Sequence, residues 1–151
     1  MYLLKADNSL TIPLEEPGTR IKSYVFESGN ANATAGVINQ VDGLQSTLYL
    51  ANNASYLIDV NYVISGSESS LYQASGTLRR GVWVDNGGNA SIVHSVAIGE
   101  SSSAMGFNVT YSPKYKRSYI RLVSFFWATH ITRCVVEVKL IEIVRNKENL
   151  V

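Results

Sequence analysis

The segment 134-CVVEVKLIEIV-144 decides the fold class of this chain. In it, Glu137 and Lys139 alternate with apolar residues at the even positions, namely Cys134, Val136, Val138 and Leu140. Alternation with a period of two residues is typical of a β-strand that buries one face in a core. We therefore predict a strand here and an all-β fold around it.

The alternation changes phase near the end of this segment. Glu142 stands where an apolar residue is due, whereas Ile141 and Ile143 are apolar. A β-bulge near Leu140 or Ile141 would shift the phase in this way, because a bulge adds one residue to one strand of a pair. A strand that is buried on both faces would give a similar pattern.

A second strand is predicted from Tyr119 to Trp127, and it is apolar on both faces. Ile120, Leu122 and Phe126 share one face with Ser124. The other face carries Tyr119, Arg121, Val123, Phe125 and Trp127. A second sheet can cover only one of these faces, so the other needs a loop or another copy of the chain.

Trp83 is out of phase with Val82 and Val84, which places it on the opposite face of their predicted strand. We expect its side chain to be exposed or to be buried against a partner. The interface that we predict between copies of the chain consists of Trp83, Tyr119, Arg121, Val123, Phe125 and Trp127.

The length and composition are those of one ordinary globular domain, with 151 residues, 46% hydrophobic and 17% charged. A net charge of +1 argues against a nucleic-acid partner, which would favour a strongly basic chain. No apolar run approaches the ~18 residues of a membrane span.

The start of the chain and its cysteine content bear on the compartment. Met1 to Asp7 lack the pattern of a signal peptide, so we expect cytoplasmic synthesis. The single cysteine, Cys134, excludes an internal disulfide.

Turn signals divide the chain into short strands. The sequence DNGGN at residues 85–89 predicts a hairpin, because Asn and Gly tolerate positive φ. Residues 37–44 have a helical spacing, with an irregular strand as the alternative. Residues 20–145 are predicted to form one antiparallel β-sandwich, jelly-roll-like, of about eight or nine strands. Residues 1–19 are expected to be an N-terminal arm or edge strand, and residues 146–151 a polar tail.

Residues with catalytic or metal-binding chemistry are few and scattered. His94 lies in phase with the apolar residues of its strand, which favours a buried or half-buried histidine over a ligand. His130 and Cys134 are too few for a zinc site, which needs three or four ligands. Asp59 and Asp85 would have to meet across strands to act together, and no nucleophile motif occurs. We therefore predict no catalytic residue, no metal and no cofactor.

Basic and aromatic residues are interleaved just before the second strand. Lys114, Lys116 and Arg117 alternate with Tyr115 and Tyr119. One hypothesis is contact with a polyanion or an acidic neighbour, because cations and aromatic rings together suit such ligands. The alternative is a solvated loop that leads into the strand.

Four runs resemble the β-sandwich modules of tailed-bacteriophage virion proteins. They are SYLIDVNY, GTLRRGVWVD, MGFNV and SYIRL, at residues 55–62, 76–85, 105–109 and 118–122. The resemblance covers residues 50 to 145, and it lies in rhythm and composition rather than in an invariant motif. It implies a homotrimer that is presented on the surface of a virion, and it brings no active-site residues.

The function that we predict from these patterns is that of a non-enzymatic structural protein of a phage virion. It would serve as a capsid decoration, a head fibre or a tail-fibre module. Its expected partners are further copies, with a trimer favoured, and other virion proteins such as the major capsid protein; we expect no membrane or nucleic-acid partner. The alternative is a module that binds a surface glycan or a host receptor, and a hydrolase with an unrecognised site is a third hypothesis.

Overall fold

The computed structural model describes residues 16–28, 40–41, 44–45, 48–66, 73–99, 105–124 and 131–145. Every regular element within these ranges is a β-strand, which confirms the all-β prediction. The strands in chain order are β1 (Gly18–Ser28), β2 (Gln40–Val41), β3 (Leu44–Gln45), β4 (Leu48–Tyr49), β5 (Ala54–Gly66), β6 (Ala74–Val84), β7 (Ala90–Gly99), β8 (Met105–Ser112), β9 (Arg117–Ser124) and β10 (Ile131–Val144).

Two antiparallel sheets form the sandwich. The five-stranded sheet has the order β1-β10-β5-β6-β7, and the three-stranded sheet has the order β4-β9-β8. β5, β6 and β7 follow one another as a meander, whereas β1 and β10 come from the two ends of the described chain. Their pairing places Gly18 opposite Val144. The predicted antiparallel sandwich is confirmed, and the finer jelly-roll connectivity stays a prediction.

One apolar core fills the space between the sheets. Its largest fully buried side chains come from both of them, because alternate residues of the strands other than the edge strand β7 turn inward. These side chains include Leu50, Ile58, Val60, Ile64, Val82, Val84, Phe107, Ile120 and Leu122. Burial of apolar surface contributes about 25 cal/mol of free energy per Å². The burial of these side chains is therefore the main contribution to the stability of the fold.

β10 keeps one register with β5 from Arg133 to Val144, and its only shift lies between Ile131 and Arg133. The predicted bulge near Leu140 or Ile141 is therefore wrong. Glu142 continues the inward series and is buried, while Ile141 and Ile143 face outward. A charged residue can hold this position because polar side chains of neighbouring strands satisfy it.

β7 ends the five-stranded sheet and is exposed on both faces from Ser91 to Gly99. We predicted that His94 on this strand is buried or half-buried. That prediction is wrong, because the apolar core does not extend beneath this last strand. A register shift opposite Gly81 and Val82 gives β7 one extra residue at Val93, which makes a bulge.

β9 runs from Arg117 to Ser124, and residues 125–127 of the predicted strand lie outside the described residues. Ile120 and Leu122 are buried in the core, as their face predicts. Tyr119 and Arg121 lie on the opposite face, which is turned away from the core.

Residues 85–89 form the predicted turn between β6 and β7. The Asp85 carboxylate accepts hydrogen bonds from Gly87 N and Asn89 N, at 2.9 Å each.

Residues 40–41 and 44–45 pair as a small hairpin. For these residues the predicted irregular strand is right, and the predicted helix is wrong. The β-branched Val41 suits this outcome, since it loses side-chain freedom in a helix.

Candidate assembly surface

The outer face of the five-stranded sheet, turned away from the core, collects exposed apolar side chains. Odd-numbered residues of β1, β5, β6 and β10 point to this face, because the even-numbered ones fill the core. Most of the large hydrophobic side chains that stay exposed in the described chain lie here: Ile21, Val63, Trp83, Val96, Ile98, Ile141 and Ile143.

Strand register gathers four of these exposed residues, together with the half-buried Leu57, at one end of the sheet. Ile21 is opposite Ile141, and Ile141 is opposite Leu57. The next row brings Ile143 and Trp83 to either side of Ser55. We call Ile21, Leu57, Trp83, Ile141 and Ile143 the isoleucine–tryptophan patch. Ile21 is 80% exposed, so the described chain itself does little to cover this patch.

Trp83 is 43% exposed, and its ring packs against an arginine that is hydrogen-bonded to the fold. The Arg145 guanidinium lies 5.5 Å from the centroid of its indole ring. Arg145 is itself fixed, because it donates hydrogen bonds to Asn53 Oδ1 at 2.9 Å, Ser55 Oγ at 3.0 Å and the Val84 carbonyl at 3.1 Å. A rigid aromatic side chain loses little entropy when it is buried by a partner, so Trp83 suits the role of an anchor.

Charged groups in the middle of the outer face are paired within the chain. The Arg79 guanidinium donates two hydrogen bonds to the Asp59 carboxylate, at 2.7 and 2.9 Å. Lys139 Nζ lies 3.8 Å from the carboxylate of Glu137. The same carboxylate accepts a hydrogen bond of 3.2 Å from Asn61. The face is therefore close to neutral, and covering it would leave few charges without a partner.

The β7 edge extends this surface to the rim of the sheet. Residues 90–99, ASIVHSVAIG, contain no Lys, Arg, Asp, Glu or Pro. Natural edge strands are usually protected by such residues, because an open strand edge can pair with another chain. Among the described strands β7 pairs only with β6, so its other edge is the one suited to a partner.

The predicted interface residues fall into separate places. Trp83 lies on the outer face of the five-stranded sheet, whereas Tyr119 and Arg121 lie on the outer face of the three-stranded sheet, across the sandwich. The side chain of Val123, and residues Phe125 and Trp127, lie outside the described residues. Of the three described members, Trp83 is therefore separated from Tyr119 and Arg121, and it has isoleucines as neighbours instead.

The predicted polyanion contacts lie around one turn. Lys114 and Lys116 belong to the turn at residues 113–116, and Arg117 begins β9. Lys114 Nζ is 5.2 Å from the ring centroid of Tyr115. The Lys116 carbonyl accepts a hydrogen bond of 3.4 Å from Asn52, which ties the turn to the loop before β5. Lys114 and Lys116 are exposed, and Arg117 is half-buried.

A buried polar network was missed by the sequence analysis. The Tyr56 hydroxyl donates a hydrogen bond to Glu142 Oε2 and accepts one of 2.8 Å from Ala51 N. Arg20 Nη1 and Lys22 Nζ each lie 3.4 Å from Glu142 Oε1. Burial, and then the hydrogen bond to Glu142, raise the pKa of Tyr56 above its ordinary value. The unexpected Glu at residue 142 was the one sequence signal of this network.

The other chemical groups that we singled out stay apart. Asp59 pairs with Arg79 in mid-sheet and Asp85 lies in a turn, so these two carboxylates do not meet. His94 is exposed on β7, and His130 lies outside the described residues. No three His, Cys, Asp or Glu residues in the described ranges are placed to hold a metal ion. The described part of the chain also has no helix with the length and apolarity to cross a membrane.

No protein-family model and no curated protein matches this chain. Among solved structures, it is similar to a tailspike protein of the Acinetobacter baumannii bacteriophage Fri1, a capsular polysaccharide depolymerase, with a TM-score of 0.45 and 8% identity. It is also similar to the tailspike protein of the Acinetobacter baumannii phage AM24, with a TM-score of 0.35 and 10% identity. The alignments cover 92% and 85% of this chain, but 19% and 27% of those proteins.

One sequence prediction is corrected by this comparison. We predicted a protein without enzymatic activity, whereas the Fri1 tailspike is a depolymerase, which is an enzyme. The restriction to a non-enzymatic role is therefore withdrawn. The similar proteins are phage tailspikes, and the chain spans only about a fifth to a quarter of their length.

Proposed function

We propose that this chain is a β-sandwich module of a bacteriophage virion, and that identical copies assemble through the outer face of the five-stranded sheet. The observation that carries the assembly is the isoleucine–tryptophan patch, with Ile21 80% exposed and Trp83 43% exposed. Contiguous exposed apolar surface of this kind marks interaction sites. The virion setting rests on the resemblance of residues 50 to 145 to phage β-sandwich modules.

The proposed occupant of the surface is a second copy of the chain. The pairs Asp59–Arg79 and Glu137–Lys139 neutralise the middle of the face, so that neighbouring copies can pack around an axis without like-charge repulsion. Trp83 supplies a fixed aromatic anchor of the kind that dominates interface energies. The uncharged β7 edge offers backbone groups for pairing next to the apolar surface.

The proposed assembly contains three copies, and each copy has flanking segments outside its sandwich. Three copies around an axis are the arrangement that the resemblance implies. Residues 20–145 would form the sandwich together with Gly18 and Thr19, which already belong to β1. The rest of the predicted arm, residues 1–17, would dock on a neighbouring virion protein such as the major capsid protein. Residues 146–151 would form a polar tail, and the surface of the virion would be the place of action.

Light scattering coupled to gel filtration tests the assembly over a micromolar dilution series. We expect an oligomer for the wild-type chain. Trp83→Ala should weaken association about 30-fold, because loss of an aromatic anchor costs about 2 kcal/mol. Ile141→Lys should have a similar or larger effect, since it buries a charge in the interface.

Asn108→Lys is the matched control, because Asn108 is an exposed strand residue on the three-stranded sheet. It should leave the mass unchanged. A wild-type chain that stays single at every concentration would overturn the proposal. An equal effect of Asn108→Lys and Ile141→Lys would show that assembly does not use the patch.

A further inference from the structure

We infer that the outer face of the three-stranded sheet binds an acidic polysaccharide. Sugar rings would stack on a cluster formed by Tyr49, Tyr115 and Tyr119, and sugar carboxylates would pair with Lys114 and Arg121. We call this set the tyrosine face. The inference does not depend on assembly of the chain, and a different surface carries it.

The three tyrosines meet because two strands and one turn bring them together. Tyr49 of β4 is directly opposite Tyr119 of β9, and their ring centroids are 5.7 Å apart. Tyr115 comes from the turn at residues 113–116 and packs edge-on against Tyr49 at 5.5 Å. All three rings are half-buried, and burial raises the pKa of Tyr49. Mutual packing therefore fixes the rings while part of each stays open to a ligand.

The charged residues of the segment that contains β8 and β9 are all basic. Residues 105–124 contain four basic residues, Lys114, Lys116, Arg117 and Arg121, and no Asp or Glu. The whole chain has 13 basic and 12 acidic residues, so the remainder carries 13 − 4 = 9 basic against 12 acidic residues, a net charge of −3. The positive charge is thus concentrated on the three-stranded sheet, which favours an anionic ligand.

Neutral hydrogen-bonding groups lie beside the rings. Thr110 of β8 is opposite Tyr119, and Asn108 is opposite Arg121. Hydroxyl and amide side chains can donate and accept hydrogen bonds with sugar hydroxyls. Arg121 is exposed and can bind a carboxylate through two parallel hydrogen bonds. Aromatic, amide, hydroxyl and cationic groups are therefore all available to one acidic glycan.

The ring geometry favours a glycan over a single-stranded nucleic acid. Successive bases stack on aromatic side chains that present their faces along one groove. Here the ring planes are inclined by 60° for Tyr49 and Tyr119, and by 68° for Tyr49 and Tyr115. Inclined rings suit separate sugar units, whose C–H groups approach the negative face of each ring from different directions.

The tyrosine face and the isoleucine–tryptophan patch lie on opposite sides of the sandwich. The inward residues Ile120 and Val82 are both buried in the shared core, so Tyr119 and Trp83 must face away from each other. Assembly through one side therefore leaves the other side open to a ligand.

Isothermal titration calorimetry of the full chain tests the inference with three probes. These are alginate oligosaccharide, which is a polymer of uronic acids, neutral dextran, and a 20-nucleotide oligo-dT. We expect binding of alginate and at least about tenfold weaker binding of dextran and oligo-dT. Tyr119→Ala should weaken alginate binding about tenfold. Arg121→Gln should weaken it and make it less dependent on salt concentration.

Arg133→Gln is the matched control for Arg121→Gln, since Arg133 is an exposed arginine of β10 on the other side of the sandwich and outside the isoleucine–tryptophan patch. It should leave alginate binding unchanged. If Tyr119→Ala does not fold, the loss of alginate affinity in Arg121→Gln tests the inference, because Arg121 is exposed and its substitution should not affect folding. No alginate binding, equal binding of oligo-dT, or equal losses in Arg133→Gln and Arg121→Gln would each overturn the inference. A monomeric chain that binds alginate would overturn only the proposed assembly.

Discussion

Tyr56 and Glu142 lie directly opposite each other on β5 and β10, and the Tyr56 hydroxyl donates a hydrogen bond to the buried Glu142 carboxylate. From the other side of β10, Arg20 and Lys22 of β1 approach the second oxygen of the same carboxylate. One acidic side chain therefore connects three neighbouring strands inside the sandwich. Because the carboxylate is removed from water, its partners determine whether this position stabilises or destabilises the fold.

Removing the Tyr56 hydroxyl should destabilise the protein. Tyr56→Phe takes one partner from Glu142 and leaves the Ala51 amide without its acceptor. We expect a loss of about 1–3 kcal/mol in the free energy of unfolding, since buried polar groups would be left unsatisfied. Urea unfolding followed by circular dichroism measures it. Tyr111→Phe, at a more exposed phenol, is the control, and an equal loss in both variants would contradict the role of the network.

Stability should fall at alkaline pH. Burial is the main reason why the pKa values of Tyr24, Tyr49 and Tyr56 are raised in the folded chain. Above about pH 10 the unfolded chain releases these phenolic protons, whereas the folded chain keeps them. The unfolded state then binds fewer protons, so the free energy of unfolding decreases as the pH rises. Urea midpoints between pH 8 and pH 11 should show this decrease, with a shallower slope for Tyr56→Phe.

The thiol of Cys134 should be unreactive in the folded protein. Burial raises its pKa from 9.0 to about 12, so very little thiolate exists near neutral pH. The thiolate is the reacting species, and the side chain is only 1% exposed. We expect no reaction with a thiol-specific chromogenic reagent at pH 8 within minutes, and full reaction after urea is added. Rapid labelling of the folded chain would show that β10 opens readily.

Gly88 should resist substitution much more strongly than its neighbour Gly87. Gly88 has φ +90°, and a Cβ at this position would lie 2.3 Å from the carbonyl oxygen of Lys116. A Cβ at Gly87 would meet nothing closer than 3.4 Å. We expect Gly88→Ala to cost more than about 2 kcal/mol and Gly87→Ala less than about 1 kcal/mol. Thermal unfolding of both variants measures the difference, and similar melting temperatures would be inconsistent with this tight contact.

The sequence was most informative where one strand face meets the core. The apolar alternation of β10 from Cys134 to Leu140 matches its buried residues, and the DNGGN turn lies where it was predicted. Glu142 could not be placed in the same way. Its partners Tyr56 and Arg20 are 86 and 122 residues away in sequence, so nothing nearby indicated that a carboxylate would be satisfied inside.

The sequence also did not indicate which strand lies at the edge of a sheet. β7 has the apolar alternation of a half-buried strand, but it lies at the edge, and its sequence does not specify which strands flank it. For the surfaces, the phase of Trp83 correctly placed its ring on the face opposite to Val82 and Val84. Ile21, Tyr49 and Ile141 were missed as surface residues, because their neighbours come from distant strands.

The pairing of β1 with β10 sets Gly18 against Val144, so the polypeptide enters and leaves the sandwich at a single point. A unit with this geometry can be inserted into a loop of a larger protein without separating the two flanking segments, as closely spaced ends generally allow. By the same geometry, a short linker between these ends would permit circular permutation, with new termini opened in the 85–89 turn.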